Sequence, residues 1–201
     1  MKASRKPIPL RPPTNFSATN VLTGLDAEQV RALGPVLEAY HFVVCDLSAA
    51  SLARLRFVDC LFERCDLSNV NLSGTGLQNV AFAECKLLGV SFTGCQELLC
   101  GVHFDRCLLR YASFGGRKMV GTRFERCDLP EADFTNADLT GAVFADCDLT
   151  RAVFHDTQLV DADFRTATGY SLDPEANQLA GARFALTGVV GLLEKYGVVV
   201  E

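Results

Sequence analysis

The chain has 201 residues, 49% of them hydrophobic and 21% charged, with a formal net charge of −5. That is enough apolar material for one domain, or for one repeat array with a buried core. No run approaches the ~18 apolar residues of a membrane span, and no apolar stretch follows the basic start MKASRKPIPLRPP as a secretory signal requires, so a soluble cytoplasmic protein is expected. Nine cysteines without such a signal argue against a disulfide framework. The absence of any CxxC pair, with only His41, His103 and His155 available, argues against a zinc site.

The first segment, residues 1–39, divides in two. Residues 1–20 carry Lys2, Arg5, Lys6 and Arg11, several prolines and no acid, the composition of a basic arm. DAEQVRALGPVLEA, 26–39, suits a short helix with Asp26 as N-cap and a break near Gly34-Pro35, placed to cover whatever follows.

From Tyr40 a large apolar residue recurs every fifth position: Phe42, Leu47, Leu52, Phe57, Phe62, Leu67 and onward. Two positions earlier sits a small or medium residue, such as Cys45, Ala50, Cys60, Cys65 or Val70. A period of five fits neither an amphipathic helix nor a plain strand. A longer period supplies the geometry. Phenylalanine recurs at 42, 62 and 82, then at 104, 124, 144, 164 and 184; leucine at 47, 67, 87, 109, 129 and 149; cysteine at 45, 65, 85, 107, 127 and 147. Each series steps by twenty, which is four pentapeptides, except for one step of 22. This predicts an all-β solenoid over 40–184 in which one turn is a square coil. Phe104, Phe124, Phe144 and Phe164, and likewise Cys107, Cys127 and Cys147, should then stack as core ladders. With coils about 4.8 Å apart, eight phenylalanine rungs make a rod roughly 35–40 Å long.

Two places break the pattern. The step of 22 puts two extra residues between Phe92 and Leu99, predicting a small bulge at 93–98. In GGRK, 115–118, Arg117 occupies a position that should point inward. After Phe184 the repeat stops. LTGVVGLLEKYG reads as a helix with Thr187 as N-cap, Gly197 as the C′ residue and an apolar stripe of Leu186, Val189, Val190, Leu193 and Tyr196. The segment 185–201 caps the last coil, pairs with a second subunit, or does both, and VVV at 198–200 is a candidate strand that could cross to a partner.

No constellation of catalytic residues emerges. Asp128 and Asp148 should lie one coil apart, near the spacing of a retaining glycosidase pair. Aspartate before the central residue, however, belongs to the repeat and bonds backbone amides at the corners. No catalytic site, cofactor or metal is therefore expected. Charge distribution is more informative. Residues 125–175 hold twelve acids against Arg126, Arg151 and Arg165, a net of −9, whereas residues 1–124 carry a net of +4. A narrow anionic rod attracts basic grooves and repels nucleic acid.

The [small]-[Asp/Asn]-[Leu/Phe]-x-x unit resembles the pentapeptide-repeat family, whose members are right-handed quadrilateral β-helices. CKLLGVSF at 85–92, FERCDLPEADFTNADLTGAVF at 124–144 and the ending YSLDPEANQLAGARF with its apolar tail look like the topoisomerase-protecting branch: Qnr, MfpA, McbG and AlbG. That resemblance implies a DNA-mimicking homodimer, joined through the C-terminus, that binds DNA gyrase or topoisomerase IV and protects it from antibiotics. Asp128, Asp133, Asp138, Asp146, Asp148, Asp156, Asp161 and Asp163 would supply phosphate-like charge, and Leu192, Leu193 and Tyr196 would belong to the dimer seam with Leu186, Val189 and Val190. Direct nucleic-acid or membrane binding is not expected. Two features depart from the pattern: the forty-residue leader, and the two-residue insertion where Qnr members project longer loops. A pentapeptide-repeat adaptor for another protein is the alternative.

Overall fold

The computed structural model describes residues 20–96 and 101–198. Each pentapeptide makes one side of the coil. Its central Leu or Phe and the small residue two positions earlier point inward, and the residue two positions later takes positive φ and turns the corner, as at Val44, Ala49, Arg54, Asp59 and Arg64 (φ 51–62°). Glycine and asparagine tolerate that conformation best, which accounts for Asn69, Gly74, Asn79, Gly121, Asn136 and Gly141 at corners.

The backbone is satisfied between coils. Leu47 N donates to Asp66 O (2.7 Å), Ala49 N to Ser68 O (2.8 Å), and Asp66 N to Cys45 O (3.0 Å). The same three bonds repeat along the rod, so only the terminal coils present open edges. The best-formed side is a seven-stranded parallel sheet running from Val21–Thr23 through His41–Val43 to Val143–Ala145. A second, three-stranded sheet joins Val36–Glu38, Arg56–Val58 and Gly76–Gln78.

The phenylalanines stack as one column, with centroids 4.8–5.3 Å apart from Phe42 through Phe184. A second column, Phe92, Phe114, Phe134 and Phe154, has centroids 4.8–5.0 Å apart and meets the first edge-on. Parallel stacking along a column and edge contact between columns are both favourable aromatic geometries. Where the small inward residue is Cys or Thr and not Ala or Val, it also carries a donor for a carbonyl of the preceding coil. Cys107 Sγ lies 3.3 Å from Phe82 O, Cys147 Sγ 3.4 Å from Phe124 O, and Thr157 Oγ1 donates to Phe134 O at 3.0 Å. Burial pushes the Cys60 thiol up to about 11 and Cys95 up to about 12, so both remain protonated at neutral pH.

The coil begins about twenty residues before the expected boundary at 40. Leu22 lies over Phe42 and Leu37 over Phe57, so the segment 20–39 is itself a coil. The repeat is hidden there because the helix Ala27–Ala32 replaces one side. Asp26 caps that helix in a reciprocal capping box with Gln29, its only fully buried residue is Val30, and Gly34 turns the chain back at φ 118°. Arg31 Nη1 donates to Ser51 O at 3.0 Å, covering a carbonyl that the missing side would leave open.

The small bulge expected at 93–98 lies partly outside the described residues, which stop at Gln96 and resume at Gly101. Gln96 N still bonds Thr75 O in the twenty-residue register, whereas His103 N bonds Val80 O after the shift. The register therefore shifts by two between Gln96 and His103, and Gly94 already departs from the repeat: it does not take the positive φ of the corners before it, and Gly74 N donates to Gly94 O instead of to Thr93 O. GGRK does not break the coil. Arg117 enters the core and is buried because its Nη1 donates to Thr93 O and Cys95 O, both at 2.8 Å.

The ending is not one helix capped by Thr187. It forms two 3₁₀ segments, Leu186–Leu192 and Glu194–Tyr196, preceded by Ala185 with no side-chain cap; Gly197 (φ 62°) ends the second. With three residues per turn, Gly188 and Gly191 come into line. Both lie on Tyr170: a Cβ on Gly188 would stand 2.0 Å from Tyr170 Oη, and one on Gly191 2.3 Å from Tyr170 O. That close approach, with Leu172 N donating to Gly191 O (2.9 Å), favours the tighter helix. The candidate strand at 198–200 lies largely outside the described residues. Among those described, no helix is long and apolar enough to cross a membrane.

A candidate charged interaction surface

Four outward faces result, each carrying one column of residues just before the central position. The phenylalanine face carries His41, Leu61, Ala81, His103, Arg123, Val143 and Asp163. The cysteine face, named for the thiols behind it, carries Asp46, Asp66, Lys86, Leu108, Asp128 and Asp148. A third face carries Ser51, Asn71, then Ser91, Ser113, Asp133 and Val153; the fourth has Lys118, Asp138 and Gln158.

The eight aspartates singled out in the sequence are distributed two to a side. Asp163 and Asp146 belong to the phenylalanine side, Asp128 and Asp148 to the cysteine side, Asp133 and Asp156 to the third, and Asp138 and Asp161 to the fourth, with Asp146, Asp156 and Asp161 at corners. The fold brings Asp128 and Asp148 into adjacent coils but does not gather the eight into one stripe.

Their local chemistry explains why the repeat keeps them. Asp133 accepts the Thr135 N–H (2.9 Å), Asp138 that of Thr140 (3.1 Å), Asp148 that of Thr150 (2.9 Å) and Asp163 that of Arg165 (3.1 Å). These Asx turns stiffen each corner and hold the carboxylate at the surface. Asp128 is different, because the residue two places on is Pro130, which has no N–H to give.

The acids also differ in how far they are neutralised. Asp163 is gripped by Arg165, whose Nε and Nη2 reach it at 3.0 and 2.7 Å; that bond holds its carboxyl below the usual range. Asp156 lies 3.5 Å from His155. Asp128, Asp133, Asp138, Asp146, Asp148 and Asp161 have no ion-pair partner among the described residues.

Sequence reasoning missed a ladder of ion pairs on the phenylalanine face. His41 meets Glu63 (2.9 Å), Glu63 meets Arg64 (3.1 Å), Glu84 meets Arg106 (3.0 Å), Asp105 meets Arg106 and Arg126, and Glu125 meets Arg123 (2.8 Å). The signal was present as alternating Glu/Asp and Arg at steps of 20–22. Net charge over a window hides it, because paired charges cancel in that sum. Apart from Asp146 at its corner, this side of the rod is self-neutralised, so the other unpaired aspartates of the C-terminal half lie on the remaining three sides.

At the C-terminal end the six seam residues do not share one stripe. Leu192 packs against the core, and Val189 and Leu193 are half-buried. Leu186, Val190 and Tyr196 remain 89%, 45% and 53% exposed. The tail is tied down by charge: Lys195 Nζ pairs with Asp173 and with Glu175 (2.7 Å), and Tyr196 Oη donates to Glu175 (3.1 Å). These contacts hold both carboxyls below their usual range and raise Lys195. Among the described residues, no group of three His, Cys, Asp or Glu side chains is placed to hold a metal.

The sequence matches the family profile described as pentapeptide repeat region over residues 37–114 and 90–164. No curated protein matches it. Among solved structures, it is similar to a trypsin-treated point variant of QnrB1, a plasmid-mediated fluoroquinolone resistance protein, at 19% identity over 90% of this chain and 99% of that one, with a TM-score of 0.62. HetL of Nostoc sp. strain PCC 7120, a pentapeptide repeat protein involved in heterocyst differentiation regulation, aligns at 18% identity over 84% and 88% of the two chains, with a TM-score of 0.39.

Proposed function

The chain belongs to the pentapeptide-repeat family, and from that premise we propose that it is a non-catalytic, cytoplasmic protein that engages a type II topoisomerase as an anionic rod. Binding would protect DNA gyrase or topoisomerase IV from topoisomerase-poisoning antibiotics, as resistance or as self-immunity. One observation carries this reading: six carboxylates without ion-pair partners among the described residues project from the C-terminal half of the rod, three of them held by Asx turns. A cationic DNA-binding groove gains from charges whose positions are already paid for in conformational entropy. In this reading two copies join through the C-terminal ends, where Leu186, Val190 and Tyr196 lie exposed, and so double the rod.

The spread of the acids over all four sides favours a second reading, an adaptor that binds another protein without imitating DNA. Gyrase supercoiling separates the two. Added protein should inhibit supercoiling or relieve its inhibition by a fluoroquinolone. Changing Asp128, Asp138 and Asp148 together to Asn should abolish the effect, because Asn loses the charge while keeping the Oδ1 acceptor of the turns at Asp138 and Asp148, and Asp128 faces Pro130 and makes no such turn. Unchanged gyrase and topoisomerase IV activity at micromolar protein would leave the adaptor.

A further inference from the structure

One stretch of the cysteine face abandons the rules that build the rest of the rod. Before the central leucine that face carries Asp46, Asp66, Asp128 and Asp148, but Lys86 and Leu108 interrupt the series. After it the face carries Ser48, Ser68 and Thr150, but Leu88, Arg110 and Pro130 stand in the three coils between. At the adjoining corner, Tyr111 (φ 60°) follows Asn69 and Gly89. These positions are neighbours: Lys86, Leu108 and Asp128 are successive bridge partners, Gly89 N donates to Arg110 O (2.9 Å), and Tyr111 N to Pro130 O (3.2 Å).

The substitutions bring no visible gain to the fold. Leu108 cannot accept the Arg110 N–H as Asp148 accepts that of Thr150, and Pro130 removes the donor that Asp128 would use. Leu88, Leu108 and Tyr111 instead stay 37%, 40% and 56% exposed. Other exposed apolar residues of the coils, such as Val44, Val120 and Val153, lie on other sides. Lys86 is paired with Asp66 (3.5 Å), but Arg110 has no carboxylate partner among the described residues. A sequence that breaks its own pattern without structural benefit does so for a surface purpose. Tyr111 and Arg110 are residue types enriched at binding hot spots, and Leu88 and Leu108 supply the surrounding apolar contact that excludes water.

We propose that Leu88, Leu108, Arg110 and Tyr111 form a direct protein-docking site that fits an apolar pocket bordered by carboxylates. On the reading above, on which this inference rests, that pocket lies on the topoisomerase outside its DNA-binding groove. Charge complementarity selects this partner: a groove built for phosphates is cationic and would be repelled by Arg110, whereas a carboxylate rim would pair with it. The acids then supply attraction that weakens with salt, and the hot spot supplies an apolar anchor that does not.

The test is the affinity of the full chain for purified gyrase and topoisomerase IV, measured at low and high salt. A variant restoring the repeat's own residues, Leu88→Ser, Leu108→Asn and Tyr111→Asn, keeps net charge and uses side chains found at equivalent positions of other pentapeptides. It should bind at least about tenfold more weakly while keeping the salt dependence and melting temperature of the unmodified protein. Arg110→Gln, which leaves the backbone and core untouched, should weaken binding by a smaller factor. Unchanged affinity of both variants, in a protein that binds and responds to Asp128→Asn, Asp138→Asn and Asp148→Asn, overturns the docking site and leaves the topoisomerase reading intact. If the unmodified chain binds neither enzyme, both fall together.

Discussion

The two ends of the rod close in different ways. At the first coil a capped helix takes the place of one side, inserting Val30 into the core and sending Arg31 across the open edge to Ser51 O. At the last coil a glycine-lined 3₁₀ segment lies flat on Tyr170, buries none of its side chains completely, and is held by Lys195, Asp173 and Glu175. One end is plugged with apolar volume and the other is covered thinly and fastened by charge. A solenoid exposes an edge at each terminus, and covering it with backbone alone leaves the covering segment's own apolar residues facing outward. Leu186 is in that position and at 89% is far more open than Val21, Leu33 or Val36 at the first coil, and association is proposed at this end.

A change in the middle of the rod sets the scale against which both ends are judged. Phe124→Ala removes one rung from the main column and its edge contacts with Phe114 and Phe134. It should cost about 3–5 kcal/mol by denaturant titration, more than any change at either terminus; a smaller loss there than at an end would break the picture of a continuous core. Gly191→Ala should be next, at about 1–3 kcal/mol, because the added methyl meets a backbone oxygen that cannot move aside. Hydrogen exchange should rise across 186–196 while the coils remain protected, and uniform loss of protection would show that the tail is integral to the rod.

The first coil should respond more mildly. Asp26→Ala removes the carboxylate half of the capping box and should cost about 1 kcal/mol, read as faster exchange in 27–32 only. The smallest effect is one of pH. Asp173 and Glu175 have depressed folded pKa values, so their pairing with Lys195 contributes fully above the ordinary carboxylate value and is lost as pH falls through the depressed ones. Tail exchange, corrected for intrinsic rates, should therefore increase below about pH 4. Tail exchange that stays unchanged on acidification would remove the fastening role given to Asp173 and Glu175.

Much of this architecture is legible in residue spacing. A twenty-residue period in phenylalanine, leucine and cysteine implies that like stacks on like, because every coil meets the same environment as the one before. The eighth rung at Phe184, the inward cysteines and the spread of the eight aspartates all follow from counting. The first coil escaped notice because Val30 fills its slot from a helix with a different period. Arg117 looked like a defect because its compensating acceptors are the carbonyls of Thr93 and Cys95, which carry no mark in a sequence.

The amino-acid order by itself therefore determined the coil, its register and the identity of its core, because a repeat imposes one local solution many times. The tertiary structure alone decided what happens where the repetition ends: the helix that completes the first coil, the 3₁₀ tail laid on Tyr170, and which carboxylates are left uncompensated. Those outcomes depend on distances between groups far apart in the chain. Asp173 and Glu175 meet the Lys195 ammonium, about twenty residues further on, only because the tail folds back over the last coil.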